Sequence, residues 1–427
     1  MGARSEAAAA VPLGCPGVAC WIAVSGLFLC ACSNREAREP IRIGVLHSFS
    51  GTMAISEKPV AEATLLAIED LNAQGGLLGR RVEAVSADAR SDPATFAAEA
   101  ERLITREKVA ALFGCWTSAS RKFVRPVVEK HNQLLFYPVQ YEGLELSPNI
   151  VYTGAAPNQQ IIPAVKWLFD HLGKRFFLVG SDSVFPRTAN AIIKDQVSAL
   201  EGEIAGEQYI LLGSRDVEGV AEKIARARPS VILNTIHGDS NVAFFEALRK
   251  RGLDPEHTPV MSFSIAEGEV ASIGPALMAG DYASWSYFQS LNTPENRDFV
   301  RRFEARYGAG RVVSDPMEAA YLAVHLWAQA VEAARTADSA VVRRNIGDQS
   351  YLGPGGMVYV DRGTQHTWKA VRLGRIRPDG QFDIVWSSED PVRPVPYPVY
   401  RRQAEWDDFL LTLYKGWGGQ WVNPGIR

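Results

Sequence analysis

From Ile41 onward, short β-branched runs alternate with longer amphipathic segments, and no other feature of the sequence constrains the fold as much. "IRIGVLHS" reads as a strand, "KPVAEATLLAIEDLNAQGG" as a helix closed at Gly75-Gly76, "RRVEAVSAD" as a strand and "DPATFAAEAERLITRE" as a helix entered through Asp92-Pro93. "VAALFG", the helix after Trp116 and "LLFYP" continue the cycle. Strand–helix–strand punctuation of this kind predicts an α/β fold with parallel sheets.

After the turn-rich bridge "YEGLELSPN" a second set begins near Ile150: "QQIIPAVKWLFDHLG", "RFFLVGSD", "RTANAIIKDQVSALEG", "EIAGEQYIL", "DVEGVAEKIARAR" and "SVILNTI" alternate helix and strand. "SNVAFFEALRKRG" and "TPVMSFS" add another pair, and after "YASWSYF" long helices return. From Tyr351 the pattern changes to antiparallel strands with Asp379-Gly380 as a hairpin turn. A chain of 427 residues exceeds one ordinary core, so two lobes joined by several crossings are expected.

The N-terminus has a separate role. Four of the five cysteines, Cys15, Cys20, Cys30 and Cys32, lie in the first 32 residues, which excludes an internal disulfide framework. "VACWIAVSGLFLCACS" has the length of a signal h-region and ends in a lipobox-like Leu29-Cys30-Ala31-Cys32, so export and lipidation at Cys32 are expected, with simple cleavage near Ala31 as the alternative. Residues 33–40 would form a tether. A formal charge of −3 and the absence of long Lys/Arg runs argue against a nucleic-acid partner.

In an open parallel sheet, ligands lie beyond the carboxyl ends of strands. Four junctions of this kind carry polar and aromatic residues. "GCWTSASRK" offers Trp116, and a helix start that Thr117, Ser118 or Ser120 can cap, with free amides for a carbonyl or an anion. "FYPVQYEG" offers Tyr137 and Tyr141, "GSDSVFPRTAN" offers Ser181, Asp182, Ser183 and Phe185, and "SFSIAEGEV" offers Ser264, Glu267 and Glu269. Each also has a purely structural reading as a cap or packing residue; together they favour a cleft. "GGLLGRR" follows a helix and precedes a strand, the reverse of a dinucleotide fingerprint, and reads as a helix cap and turn. Cys115 has no recognisable base or orienter and reads as a small core residue. The seven histidines show no metal-ligand spacing, and no catalytic residue, metal or cofactor is expected.

The stretches "LHSFSGTMAISE", "GCWTSASRK", "LLFYPVQYEG", "SPNIVYTGAAPNQQ", "GSDSVFPRTAN", "GTQHTWKAVRLGRIRPDGQFDIVW" and "EWDDFLLTLYKGWGGQWVNP" resemble the urea-binding proteins of bacterial ABC-type urea importers and, more loosely, a short-chain amide receptor. The resemblance implies a type I periplasmic binding fold, with two Rossmann-like lobes, three hinge crossings and a ligand enclosed by lobe closure. It implies a first lobe of residues 41–155 plus about 286–350, a second of 156–285 plus about 351–390, and an extension over 391–427 packed on the lobes. It places Trp116, Ser118, Tyr137 and Val139 at the first-lobe pocket, Ser183 and Phe185 on the second-lobe loop, and Glu267 at a helix entry; Thr117 and Tyr141 join them from the residue reading. The chain departs from that family at Ser183, where a ring is usual, and at Gly268, where an acidic residue is common. The implied role is capture of urea or a short amide outside the cytoplasm, with delivery to an ABC permease. A sensor reporting to a signalling partner, and an amidohydrolase using Cys115, are the alternatives.

Overall fold

The computed structural model describes residues 39–425. The signal segment, Cys32 and most of the tether lie outside the described residues. The first half of the chain runs β1 (Ile41–His47), α1 (Ala54–Ala73), β2 (Val82–Asp88), α2 (Pro93–Thr105), β3 (Leu112–Gly114), α3 (Ser118–Lys130), β4 (Leu135–Tyr137) and β5 (Ile150–Tyr152). It continues with α4 (Ile161–His171), β6 (Arg175–Ser181), α5 (Val184–Ala199), β7 (Glu203–Ile210), α6 (Glu218–Ala227), β8 (Val231–Thr235), α7 (Ser240–Lys250), β9 (Val260–Ser262), α8 (Glu267–Ile273), α9 (Pro275–Met278) and β10 (Tyr282–Trp285). The last part holds α10 (Pro294–Tyr307), α11 (Asp315–Ala334), α12 (Ser339–Asn345), β11 (Ser350–Gly353), β12 (Gly356–Val360), β13 (Thr367–Trp368), β14 (Arg372–Ile376), β15 (Phe382–Ser387) and α13 (Gln403–Gly416).

Two sheets organise these elements. The first, ordered β2-β1-β3-β4-β5, is parallel throughout. The second, ordered β15-β14-β10-β9-β8-β6-β7, is parallel from β10 to β7 and carries the antiparallel pair β14 and β15 at one edge. Helices cover both faces of this second sheet, and the strand period shows it. Phe176 and Leu178 of β6 point into one buried cluster with Val231 and Leu233, while Phe177 and Val179 point into another with Ile232. Strands buried on both faces must be apolar at every position, which is why "RFFLVGS" shows no polar alternation.

A third, small antiparallel sheet, ordered β11-β12-β13, lies with the first lobe, and the chain passes between the lobes three times, after β5, after β10 and after β13. The crossings are tied to one another. Lys369 Nζ donates to the Thr153 carbonyl at 2.9 Å, Gln160 Nε2 to Ser284 at 2.7 Å, and Arg372 to the carbonyls of Ser286 and, at 3.0 Å, Gly355. The third crossing comes later than the sequence pattern places it. Val358 and Val360 of β12 lie in the core of the first lobe, so residues 351–368 pack there, and the return to the second sheet begins after Trp368. The Asp379-Gly380 turn is present, with Arg377 N donating to Gln381 O at 2.7 Å and Gly380 at φ 82°.

Candidate functional site

The loops that follow β1, β3 and β4 face those that follow β6, β8 and β9 across the gap between the lobes. Direct bonds close it: Ser56 Oγ donates to Glu269 Oε1 at 2.5 Å, Gln140 Nε2 to the Phe263 carbonyl at 2.8 Å and Ser264 Oγ at 3.2 Å, and Thr52 to Asp239.

The turn after β3 is shaped by backbone geometry. Gly114 has φ 148°, and a Cβ there would lie 1.9 Å from the Leu46 carbonyl, so only glycine fits. Cys115 follows at φ 65°, a left-handed conformation that costs a non-glycine residue energy and persists only where its surroundings fix it. Its amide is bonded to Leu46 O at 2.9 Å, and the thiol is fully buried. Burial, reinforced by Glu57, pushes the thiol well above its ordinary range, the opposite of an activated nucleophile. The turn delivers Trp116, whose carbonyl accepts from Tyr137 Oη at 2.6 Å, and Thr117, whose hydroxyl caps α3 by accepting from Ser120 N at 3.0 Å.

Ser118 opens α3 but does not stand free. Its hydroxyl donates to Glu142 and accepts from Arg121 Nη1 at 3.0 Å. Arg121 Nε reaches Glu145 at 2.9 Å, Nη2 reaches Glu142 at 3.2 Å, and the guanidinium lies over the rings of Tyr137 and Tyr141 at 4.8 and 4.5 Å. Lys122 adds a second cation 3.3 Å from Glu145. Burial alone would raise the Glu145 carboxyl, but Arg121, Lys122 and Arg125 outweigh it and hold it far below the usual carboxylate range. Tyr141 is bonded to His366 and stacked on Tyr152 behind this network. Val139 is buried in the same core.

On the second lobe, Ser183 sits at the N-cap of α5 in extended conformation, with its amide on the Ser181 carbonyl at 2.9 Å. Phe185 stacks on His237, ring centroids 5.3 Å apart. Burial holds His237 neutral, its pKa lowered to about 4. Glu267 Oε1 accepts from Gln289 N at 2.7 Å, and Oε2 has no partner among the described residues. Burial pushes this carboxyl up to about 8, with Asp315 and Glu269 contributing, so it is protonated at neutral pH. Gly268 has open space beside its Cα and lines a cavity of about 280 Å³ with Ser56, Glu269 and Ser314.

The structure therefore brings Trp116, Thr117, Ser118, Tyr137, Val139 and Tyr141 together on one lobe, and places Ser183, Phe185 and Glu267 on the other, at the N-terminal ends of α5 and α8. Reading the sequence missed three participants. Glu57 accepts from Ser48 N at 2.9 Å and contacts His47 Nδ1 at 3.2 Å through the same oxygen, leaving Glu57 Oε1 and His47 Nε2 unpartnered and buried. Gln140 keeps its Oε1 unpartnered as well. The stretch "HSFSGTMAISE" follows a strand and carries Glu57 in the first turn of a helix, which was a legible signal for a site residue. No group of three or more His, Cys, Asp or Glu side chains among the described residues could hold a metal ion, and no helix among them is long and apolar enough to cross a membrane.

Comparison with known proteins agrees with this architecture. Residues 41–403 match the family described as periplasmic binding protein domain. Over 346 residues the chain is 24% identical to Leu/Ile/Val-binding protein homolog 6 of Brucella suis, covering 79% of this chain and 87% of that protein. A 124-residue stretch is 36% identical to limonene hydroxylase of Geobacillus stearothermophilus, but it is 29% of this chain and spans only 23% of that protein. The crystal structure of an ABC transporter solute-binding protein from R. palustris in complex with 4-hydroxybenzoate superposes with TM-score 0.74 at 23% identity, covering 83% of this chain and 98% of that one. Two lobes with parallel sheets, three crossings and a closed gap are the type I form of this fold, and the chain belongs to the family described as periplasmic binding protein domain.

Proposed function

We propose that the protein captures urea or a short-chain amide between its lobes and hands it to an ABC permease outside the cytoplasm, held at the membrane by a lipid on Cys32. The observation that carries this reading is the polarity of the buried atoms left unsatisfied. Glu57 Oε1 and Gln140 Oε1 are acceptors waiting for N–H donors, and the protonated Glu267 carboxyl can donate or accept. The buried cations Arg121, Lys122 and Lys369 are already spent on carboxylates or carbonyls. A carboxylate ligand needs a free cation or several amides; a neutral ligand with one carbonyl and several N–H groups needs donors at one edge and acceptors at the other. The first-turn amides of α3 supply the former, and Glu57 and Gln140 the latter.

The chemistry requires no nucleophile, and the buried Cys115 thiol offers none. Titration calorimetry of the purified protein with urea, acetamide and propionamide, beside leucine and 4-hydroxybenzoate, tests the reading. Saturable heat with one of the amides and no ammonia release is expected. Heat only with leucine or 4-hydroxybenzoate would overturn it.

A further inference from the structure

The C-terminal segment after α13 runs along the loop that carries Ser183 and Phe185. Val184 N donates to the Trp421 carbonyl at 3.0 Å, Asn423 N donates to Asp182 O at 2.9 Å, and the Asn423 side-chain amide donates to Asp182 Oδ2 at 2.5 Å. Ser183 and Val422 form an antiparallel bridge. Three successive loop residues are thus pinned by three residues of the tail. Arg187 Nε holds the other Asp182 oxygen at 2.7 Å, which leaves the loop little freedom.

The tail is itself fixed to the second lobe. Trp406 of α13 is fully buried in the core with Phe176 and Leu178, and Arg401 makes two bonds to Asp195 at 2.6 and 2.8 Å. The Trp421 ring nevertheless reaches the first lobe, where the Lys122 ammonium lies 4.8 Å from its centroid. Lys122 stands one turn beyond Ser118 and is paired with Glu145. Tyr414 packs against the Trp421 ring at 4.7 Å and orients it. Beside this contact runs a groove of about 490 Å³ lined by α3, α13 and the segment 144–146, where Leu144 makes a second tie: its amide donates to the Pro396 carbonyl at 2.9 Å and its side chain packs with Trp406 and Leu410.

We propose that residues 417–423 form a strap between the lobes, positioning the Asp182–Phe185 loop and latching the closed state through Trp421 on Lys122. The strap moves with the second lobe, so opening separates Trp421 from Lys122. A cation–π contact between a buried ammonium and a partly exposed ring shifts the open–closed ratio by about three- to thirtyfold. That the pinned loop faces a ligand rests on the reading given under Proposed function; the latch itself does not.

The test uses the full chain with Trp421→Ala, Trp421→Phe and Asn423→Ala, read by hydrogen exchange and small-angle X-ray scattering without ligand. Trp421→Ala is expected to raise the radius of gyration and accelerate exchange in peptides covering residues 182–187, with Trp421→Phe close to the parent because the ring remains. Asn423→Ala is expected to accelerate exchange in the same peptides while leaving scattering unchanged, since it pins the loop but does not touch Lys122. Should Trp421→Ala lose folded structure, Lys122→Met breaks the same contact from the other side and must raise the radius of gyration. Unchanged scattering in both Trp421→Ala and Lys122→Met overturns the latch, and unchanged exchange in Asn423→Ala overturns the positioning role. Urea titration of each variant is a separate arm: no urea binding by any form, parent included, counts against the ligand and leaves the strap results standing.

Discussion

Arg121 Nε lies 2.9 Å from Glu145 Oε1, and neither side chain is exposed to solvent. The pair joins the first turn of α3 to the loop after β4, two segments of the candidate first-lobe site. Removing the guanidinium would leave Glu142 and Glu145 buried with Lys122 and, at 3.7 Å from Glu145, the partly exposed Arg125. Arg121→Met is therefore expected to cost about 3–5 kcal/mol of stability, as breaking a buried pair does. Arg121→Lys should recover only part, because one ammonium cannot reach two carboxylates and Ser118 with the guanidinium fork. Denaturant titration checks this; a loss below about 1 kcal/mol would mean the network behaves like surface charges.

These residues also show why the site was only half legible. The fold could be read because an unbroken apolar run such as that in "RFFLVGS" marks a strand buried on both faces, and because apolar residues return every third or fourth position in α1. The turn after β3 was legible because Gly114 and the Thr117 cap stand next to it in sequence. Glu142 and Glu145, by contrast, sit in "YEGLELSPN", which reads as a turn-rich surface bridge; only the fold brings Arg121 across to them and removes water from all three. The same limit applies to β12, whose alternation announces a strand without saying which core Val358 and Val360 will enter.

Ser118→Ala removes one hydroxyl that both donates to Glu142 and accepts from Arg121. A hydrogen bond to a charged group contributes about 1.5–3 kcal/mol, so the variant should be less stable by about this amount and bind the best amide more weakly. Thermal shift with and without ligand separates the two effects. An unchanged ligand-induced shift would place the ligand away from the start of α3.

The buried carboxyls set a pH dependence with a defined sign. Glu267 titrates at about 8 and Asp281 at about 7 in the folded protein, both raised by burial, so the native state binds protons that the unfolded chain has released. Stability from these groups is fully present below the unfolded pKa and declines as pH rises from 4.5 to about 8 for Glu267 and from 3.8 to about 7 for Asp281. His237, held down at about 4, acts oppositely and costs stability as pH falls from 6.5 to 4. Glu267→Gln should flatten the decline at higher pH, by at most about 1.4 kcal/mol per pH unit. Denaturation midpoints at several pH values measure it, and an unaltered slope would show that Glu267 is ionised in the fold.

Cys115 should be inert. Its thiol is buried, its pKa is raised, and it lies behind the cleft-facing turn. Iodoacetamide at pH 8 should leave Cys115 unmodified in native protein and label it after unfolding, as read by peptide mass spectrometry. Cys115→Ser should still bind ligand. Rapid native labelling would revive a nucleophilic role.

Ser56 and Glu269 cross the gap directly, 2.5 Å apart, from the first turns of α1 and α8. On the reading proposed above, the bond belongs to the closed lobes, and ligand enters an open form in which Ser56 and Glu269 are separated. Ser56→Ala therefore removes an interaction from the closed complex and leaves the encounter surface unchanged. Ligand release should accelerate about tenfold, with little change in association rate. Stopped-flow measurement of both rates with the best amide decides the matter: a slower association at unchanged release would show that Ser56 acts on the open form, and would assign the bond to steering the closing motion instead of holding its end state.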